Sequence, residues 1–249
     1  MDATRTPRHG LARVMSKRGL CSRTQAAERI RAGRVRVDGR VVRDPEFPIH
    51  SPAQRIEFDG DAQSGAHVYL ALNKPRGLVT TARDERGRDT VYSCFAGAAL
   101  PWIAPVGRLD KASEGLLLFT SDPAWAARIT SPGSGPVKTY HVQIDRVPDP
   151  ALIESLQRGV HDEGELLAAR SVALLREGGR NAWLEIVLDE GRNRHIRRLL
   201  AAHGVGVLRL VRTAIGSLPL GTLPKGGWRV LDADEAEALA PRSRLPGAA

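Results

Sequence analysis

The stretch Gly107-Arg108-Leu109-Asp110-Lys111-Ala112-Ser113-Glu114 is polar and charged, and it runs without a break into Gly115-Leu116-Leu117-Leu118-Phe119-Thr120. A loop that passes directly into an apolar run is expected to enter a buried strand. A carboxylate in that loop, Asp110, is carried rigidly and can still face a cleft. The position also suits an Asp that caps a turn, so spacing alone leaves both roles open.

Further strands are expected over 68–72, 139–144, 182–189 and 228–231. Helices are expected from Asp122 with Pro123 in the first position, from Asp149 with Pro150, and through 193–203. Strands and helices do not alternate strictly as βαβ units. The expected class is therefore α+β, with a mostly antiparallel sheet.

The first 60 residues differ in charge from the rest. They hold 13 Lys+Arg against 7 Asp+Glu, a net +6 of the chain's +9, which marks a separate basic module. Leu11, Val14 and Met15 share one face of a first helix that ends at Gly19. Ser22 is placed to cap a second helix through Ala26, Ala27 and Ile30, which Gly33 stops. Apolar and polar residues alternate over 35–42 on both sides of Asp38-Gly39, a hairpin signal. A last strand over 55–58 precedes the polar stretch 59–65.

The excess of positive charge favours a polyanionic partner, since each Lys or Arg set against a phosphate releases counterions. The start of the chain has no apolar core of the kind a signal peptide needs, and no apolar run reaches the length of a membrane span. Cys21 and Cys94 form no disulfide framework, and no spacing suits a metal or a cofactor. The expectation is a cytoplasmic protein with neither metal nor cofactor.

Arg13-Val14-Met15, Gly19, Ser22-Arg23, Ala27-Glu28, Ile30, Gly33-Arg34-Val35, Val37 and Asp38-Gly39 resemble the S4 RNA-binding domain over about fifty residues. Asp38 stands where that family usually has Asn, which keeps the turn chemistry, and Thr24 where a second Arg is common. With the charge, the resemblance implies RNA contacts by Lys17, Arg18, Ser22, Arg23, Arg31, Arg34 and Arg36. The expected organisation is an S4-like module over 8–60, a linker over 61–66, a catalytic domain over 67–240 and a frayed tail over 241–249.

Gly107-Arg108-Leu109-Asp110, Ser113, Gly115-Leu116-Leu117-Leu118 and Thr120 are similar to the signature of the pseudouridine synthases of bacterial ribosomal RNA. Leu72-Asn73-Lys74-Pro75-Arg76-Gly77, Lys138-Thr139-Tyr140, Glu190 to Arg198, and Arg212 with Ile215-Gly216, Leu220 and Gly227-Trp228-Arg229 resemble further motifs of that family, in the right order. The closing pattern is that of the small-subunit branch and its large-subunit relatives. The resemblance implies a catalytic domain with a central cleft and Asp110 as nucleophile. It also implies Tyr140 on the flipped base, Arg108 aiding base flipping, and Arg197 as the cation beside Asp110. Periodicity puts Arg194, Arg197 and Arg198 on one helix face. Arg194, Arg198 and Lys74 are then expected against RNA, the latter two on phosphate. Two departures are His195 in place of Gln, and Pro123 after Asp122 in place of Gly.

The implied reaction converts uridine to pseudouridine in ribosomal RNA, free or in an assembly intermediate. It needs no redox step or group donor. The carboxylate can attack ribose C1′ or base C6, or take a ribose proton, and the sequence does not choose. A monomer is expected by resemblance. The other reading is a catalytically inactive RNA-binding assembly factor, against which the joint presence of Asp110, Tyr140 and Arg197 argues.

Overall fold

The computed structural model describes residues 9–18, 20–51, 54–58, 67–82 and 84–241. Gly19, the proposed linker 61–66 and the tail beyond Pro241 lie outside them. The chain divides into two units. The first holds residues 1–68 with 99–104 and 120–126; the second holds 69–98, 105–119 and 127–249.

In the first unit β1 (His9–Gly10) leads into α1 (Leu11–Lys17) and α2 (Arg23–Arg31). Ser22 Oγ accepts from Gln25 N, and the Gln25 side chain returns the bond to Ser22 N, a complete capping box. Then come β2 (Val35–Val37), β3 (Arg40–Val42), β4 (Pro48–Ile49) and β5 (Ile56–Phe58). Asp38 and Gly39 both have positive φ, 49° and 78°, as a two-residue primed turn requires. The Asp38 carboxylate accepts from Arg55 N at 2.9 Å and Gln54 Nε2 at 3.1 Å, which ties the hairpin to β5 and holds its pKa below the ordinary carboxylate value. Sheet order is β3-β2-β5, and β1 pairs with β4. Leu11, Met15, Ala26, Ile30 and Val35 are fully buried in this unit's own core.

The large sheet begins with β6 (Tyr69–Lys74), β7 (Ala104–Val106) and β8 (Glu114–Thr120), the apolar run, buried at every position. A 3-10 turn at Val91–Phe95 precedes β7. Phe95 meets Phe119 and Trp228 with ring centroids 4.8 Å and 5.7 Å apart. Asp122 Oδ1 caps α3 (Pro123–Thr130), accepting from Ala124 N and Trp125 N. There follow β9 (Lys138–Ile144), α4 (Pro150–Arg158) capped by Asp149, β10 (Val160–Asp162), β11 (Glu165–Leu167), β12 (Ser171–Glu177) and β13 (Ala182–Leu188). The chain closes with α5 (His195–Ala201), β14 (Val207–Ile215), β15 (Leu218–Pro219), β16 (Trp228–Val230) and α6 (Ala233–Leu239).

The order across the sheet is β12-β13-β9-β14-β8-β6-β16, with β15 on β14 and β7 on β8. The ladders β12–β13, β13–β9, β9–β14 and β6–β16 are antiparallel, while β14 and β8 run parallel. The expected α+β class with a mostly antiparallel sheet is thus observed. Where β8 meets β14, Gly115 stands opposite Arg212 at φ +100°, and a Cβ on it would sit 2.3 Å from the Arg212 carbonyl oxygen. Only glycine admits that approach.

Candidate active site

A cleft of about 260 Å³ opens over β9 and β14, between the loop from β7 to β8 and the segment leading into α5. Asp110 is the one carboxylate among the described residues that line it. Its loop is held from several sides. Lys74 Nζ donates to Ser113 O at 2.8 Å and to Pro75 O at 3.0 Å, and Gly77 N donates to Lys111 O at 2.8 Å. Thr80 Oγ1 donates to Leu109 O at 2.7 Å, and Arg197 Nη2 to Ala112 O at 3.3 Å. The carbonyls of Leu109, Lys111, Ala112 and Ser113 are thereby all engaged, which fixes the carboxylate against the cleft.

The cation in contact with Asp110 is not the expected one. Arg194 Nη1 lies 3.5 Å from Asp110 Oδ2. Arg197 stays near enough for Asp110 to act on its charge, but its guanidinium donates to the Val207 and Ala112 carbonyls and its Nε is buried without a partner. The physical reason is that the Arg197 guanidinium is already held by two carbonyls, whereas Arg194, which caps α5 from a left-handed backbone at φ +50° and ψ +31°, reaches the carboxylate.

Arg198 departs from its expected phosphate contact. It is drawn into an acidic hairpin, with Asp162 Oδ2 at 2.5 Å and Glu165 Oε2 at 2.7 Å, and its side chain is only 17 % exposed. Lys74 departs in the same way. It is fully buried beneath the Asp110 loop, and burial lowers its pKa to about 8 against the opposing pull of Asp110. Arg108 is exposed and lines the cleft.

Tyr140 is 7 % exposed on β9 and lines the cleft. Beside it stand Lys138, two residues along the strand, and Arg212, its register partner on β14. Burial pushes the Lys138 amine below its ordinary value, helped by Arg212 and opposed by Asp189. His195 lines the cleft wall, its Nε2 bonded to Ala168 O at 3.1 Å, with its pKa lowered chiefly by burial. The sequence marked Arg212 within a motif but gave it no role. A charged residue on the inward face of a strand, two positions from Leu210, is the signal for it.

Among the residues expected against RNA in the first unit, Lys17, Arg31, Arg34 and Arg36 are exposed. Arg23 reaches Glu46 at 3.4 Å, Arg18 donates to Gln54 O at 2.9 Å, and the Ser22 hydroxyl oxygen accepts within the capping box. Among the described residues, no group of three or more His, Cys, Asp or Glu could hold a metal, and no helix is long and apolar enough to cross a membrane.

Residues 68–202 match the family model described as RNA pseudouridylate synthase, and residues 10–56 match the S4 domain. The chain is 37 % identical over 246 residues to "Ribosomal large subunit pseudouridine synthase B" of Escherichia coli K12, covering 95 % of this chain and 84 % of that one. It is 36 % identical over 220 residues to an "Uncharacterized RNA pseudouridine synthase" of Rickettsia bellii, covering 88 % and 95 %. A solved structure titled "Crystal structure of pseudouridylate synthase" superposes with a TM-score of 0.65 at 29 % identity, covering 93 % of this chain and all of that one.

Proposed function

The chain belongs to the RNA pseudouridylate synthase family, and on that premise we propose that it isomerises one uridine of ribosomal RNA to pseudouridine with Asp110 as the nucleophile. The observation that carries this reading is the setting of Asp110. Among the described residues it is the one carboxylate lining the cleft, clamped by its loop and beside a cation, with an aromatic side chain on the cleft floor.

The volume of about 260 Å³ lies just below the ~300–1,000 Å³ usual for small-ligand sites, in keeping with one flipped base rather than a longer segment. In the reaction the C1′–N1 bond breaks, the base turns, and C5 bonds to C1′. Asp110 can serve by attacking C1′ or C6, or by taking a ribose proton. Arg194 and Arg197 set positive charge beside it. Tyr140 offers a face to the uracil and a hydroxyl for proton transfer. The exposed Lys17, Arg31, Arg34 and Arg36 supply electrostatic docking.

Large-subunit RNA is the favoured substrate, in view of the large-subunit synthases among the relatives. The site of action is then the cytoplasm, with a single chain as the acting unit.

The test compares ribosomal RNA from cells with the intact gene, a deletion and Asp110→Asn, using chemistry that detects pseudouridine. One site in large-subunit RNA is expected to vanish in both altered strains. Full modification of every ribosomal position in the deletion strain, with RNA binding by the protein intact, would favour the inactive assembly factor instead.

A further inference from the structure

Arg212 is 5 % exposed, and its guanidinium is only partly satisfied. Nε donates to Leu116 O at 2.7 Å, whereas Nη2 is buried with no hydrogen-bond partner. Among the described residues Arg212 forms no ion pair. Asp110 is engaged by Arg194, and Asp189, the acid nearest in effect to Lys138, bonds Arg170 at 2.9 Å. A buried cation with an unfilled donor is costly unless something arrives to fill it.

Its placement is built in. Arg212 stands opposite Tyr140 in the β9–β14 ladder, so the two side chains lie side by side on the cleft floor. Between Arg212 and Ala214 that ladder slips by one residue, a bulge of the kind that re-aims a side chain. On the other flank Gly115 leaves the space that lets the Arg212 backbone press against β8.

We infer that Arg212 Nη2 donates a hydrogen bond to a carbonyl oxygen of the flipped uracil and stabilises the negative charge that develops there as the base–ribose bond is remade. The inference rests on the proposed function. It does not depend on the route. Attack at C1′, or removal of the C2′ proton, sends the C1′–N1 electron pair into the ring, and uracil separates as an anion spread over N1, O2 and O4. Attack at C6 pushes the C5–C6 π pair onto O4 as an enolate. In each case C5 then supplies the pair for the new C5–C1′ bond. The proton lost from C5 is balanced by one gained at N1, and any proton taken from C2′ is returned. Arg212 gives up no proton. It acts as a fixed donor in a water-poor site, where such donors count most.

The test measures single-turnover loss of substrate on a ribosomal RNA fragment carrying either uridine or 5-fluorouridine at the modified position. Fluorine at C5 makes uracil a better leaving group and lessens the need for a donor. Arg212→Gln is expected to slow the uridine substrate by about 10²–10³-fold. Its loss on 5-fluorouridine is expected to be at least tenfold smaller, with Arg212→Lys between wild type and Gln. The ratio of the two substrates in one preparation is independent of how much protein is folded, so a poorly folding variant still reports. Equal slowing of both substrates, or rates within about threefold of wild type, overturns the inference. A wild-type protein that converts neither substrate overturns the proposed function and this inference with it.

Discussion

Arg194 Nη1 lies 3.5 Å from Asp110 Oδ2, and Arg194 reaches that position from a left-handed backbone at φ +50°. A bulky residue there costs ~1–2 kcal/mol. The pair joins side chains 53 % and 38 % exposed, so solvent screening leaves it worth only ~0–1 kcal/mol. The strain therefore exceeds what the pair returns in stability, as is usual of a site held for function. Arg194→Gly is expected to unfold in urea at least as late as wild type, and later than Arg194→Ala by about 1 kcal/mol. Its turnover should fall about tenfold, the equivalent of one charge-assisted contact. Loss of several kcal/mol in the Gly variant would refute the argument.

Arg197 should behave in the opposite sense. Its guanidinium bridges Ala112 O and Val207 O, and so holds the Asp110 loop to the start of β14. Arg197→Met is expected to cost about 1.5–3 kcal/mol of stability, because both carbonyls lose a charged donor. It should also slow turnover, since the loop that carries Asp110 loosens. Urea unfolding separates the two arginines: a stability near wild type for Arg197→Met would show that the bridge contributes little.

Gly115→Ala tests the seam between β8 and β14. The added methyl would meet the Arg212 carbonyl at 2.3 Å, on a backbone at φ +100° that a β-carbon disfavours. Strain and overpacking add, so a loss of about 3 kcal/mol or more is expected, read by chemical unfolding. A change below about 1 kcal/mol would mean that the strands part easily and that Gly115 is no constraint on the cleft floor.

The contrast between Asp110 and Arg194 shows how far the sequence reached. The hairpin at Asp38-Gly39, the caps Ser22, Asp122 and Asp149, and the buried strand after Asp110 were legible because each rests on local backbone chemistry. The strand β12 was not, since it is mostly exposed and presents no alternating pattern, and the hairpin β10–β11 is only three residues to a strand. Within the site, helical periodicity placed Arg194, Arg197 and Arg198 together. Arg194 and Arg197 do line one cleft, but which of them meets Asp110 is set by the carbonyls of Ala112 and Val207 that hold Arg197, and Ala112 lies far away in the chain. Lys74 and Arg198 looked like phosphate contacts because charge alone does not reveal burial or a facing acidic hairpin.

Lys74 gives a pH signature. Burial lowers its folded-state pKa to about 8, against an ordinary 10.5 in the unfolded chain. Between those values the unfolded state binds more protons than the folded one, so stability rises with pH through the window. Below about 8 the amine is charged in both states and its burial cost is fully present. Unfolding free energies of wild type and Lys74→Met, measured from about pH 7 to 10.5, should diverge, with wild type gaining ~3 kcal/mol relative to the variant. Parallel curves would mean that Lys74 titrates as an exposed amine does.

Arg31, Arg34 and Arg36 follow one another across the end of α2 and into β2, all exposed, over a core that Ile30 and Val35 anchor on either side. Their side chains take no part in that core, so replacing all three with Ala should leave the thermal midpoint of the protein within a few degrees of wild type. Affinity for a ribosomal RNA fragment should fall instead, and in a salt-dependent way. Each arginine set against a phosphate releases counterions and steepens the plot of log affinity against log salt by ~0.7–0.9, so the triple replacement should flatten it by ~2–3. Solvated arginines that merely keep the surface soluble would leave the slope where it was. Catalysis at saturating RNA should be nearly unaffected, because docking charge of this kind lowers the concentration of RNA required without touching the reacting base. A flattened slope together with an intact maximal rate would assign the three arginines to docking, while an unchanged slope would remove them from the RNA interface.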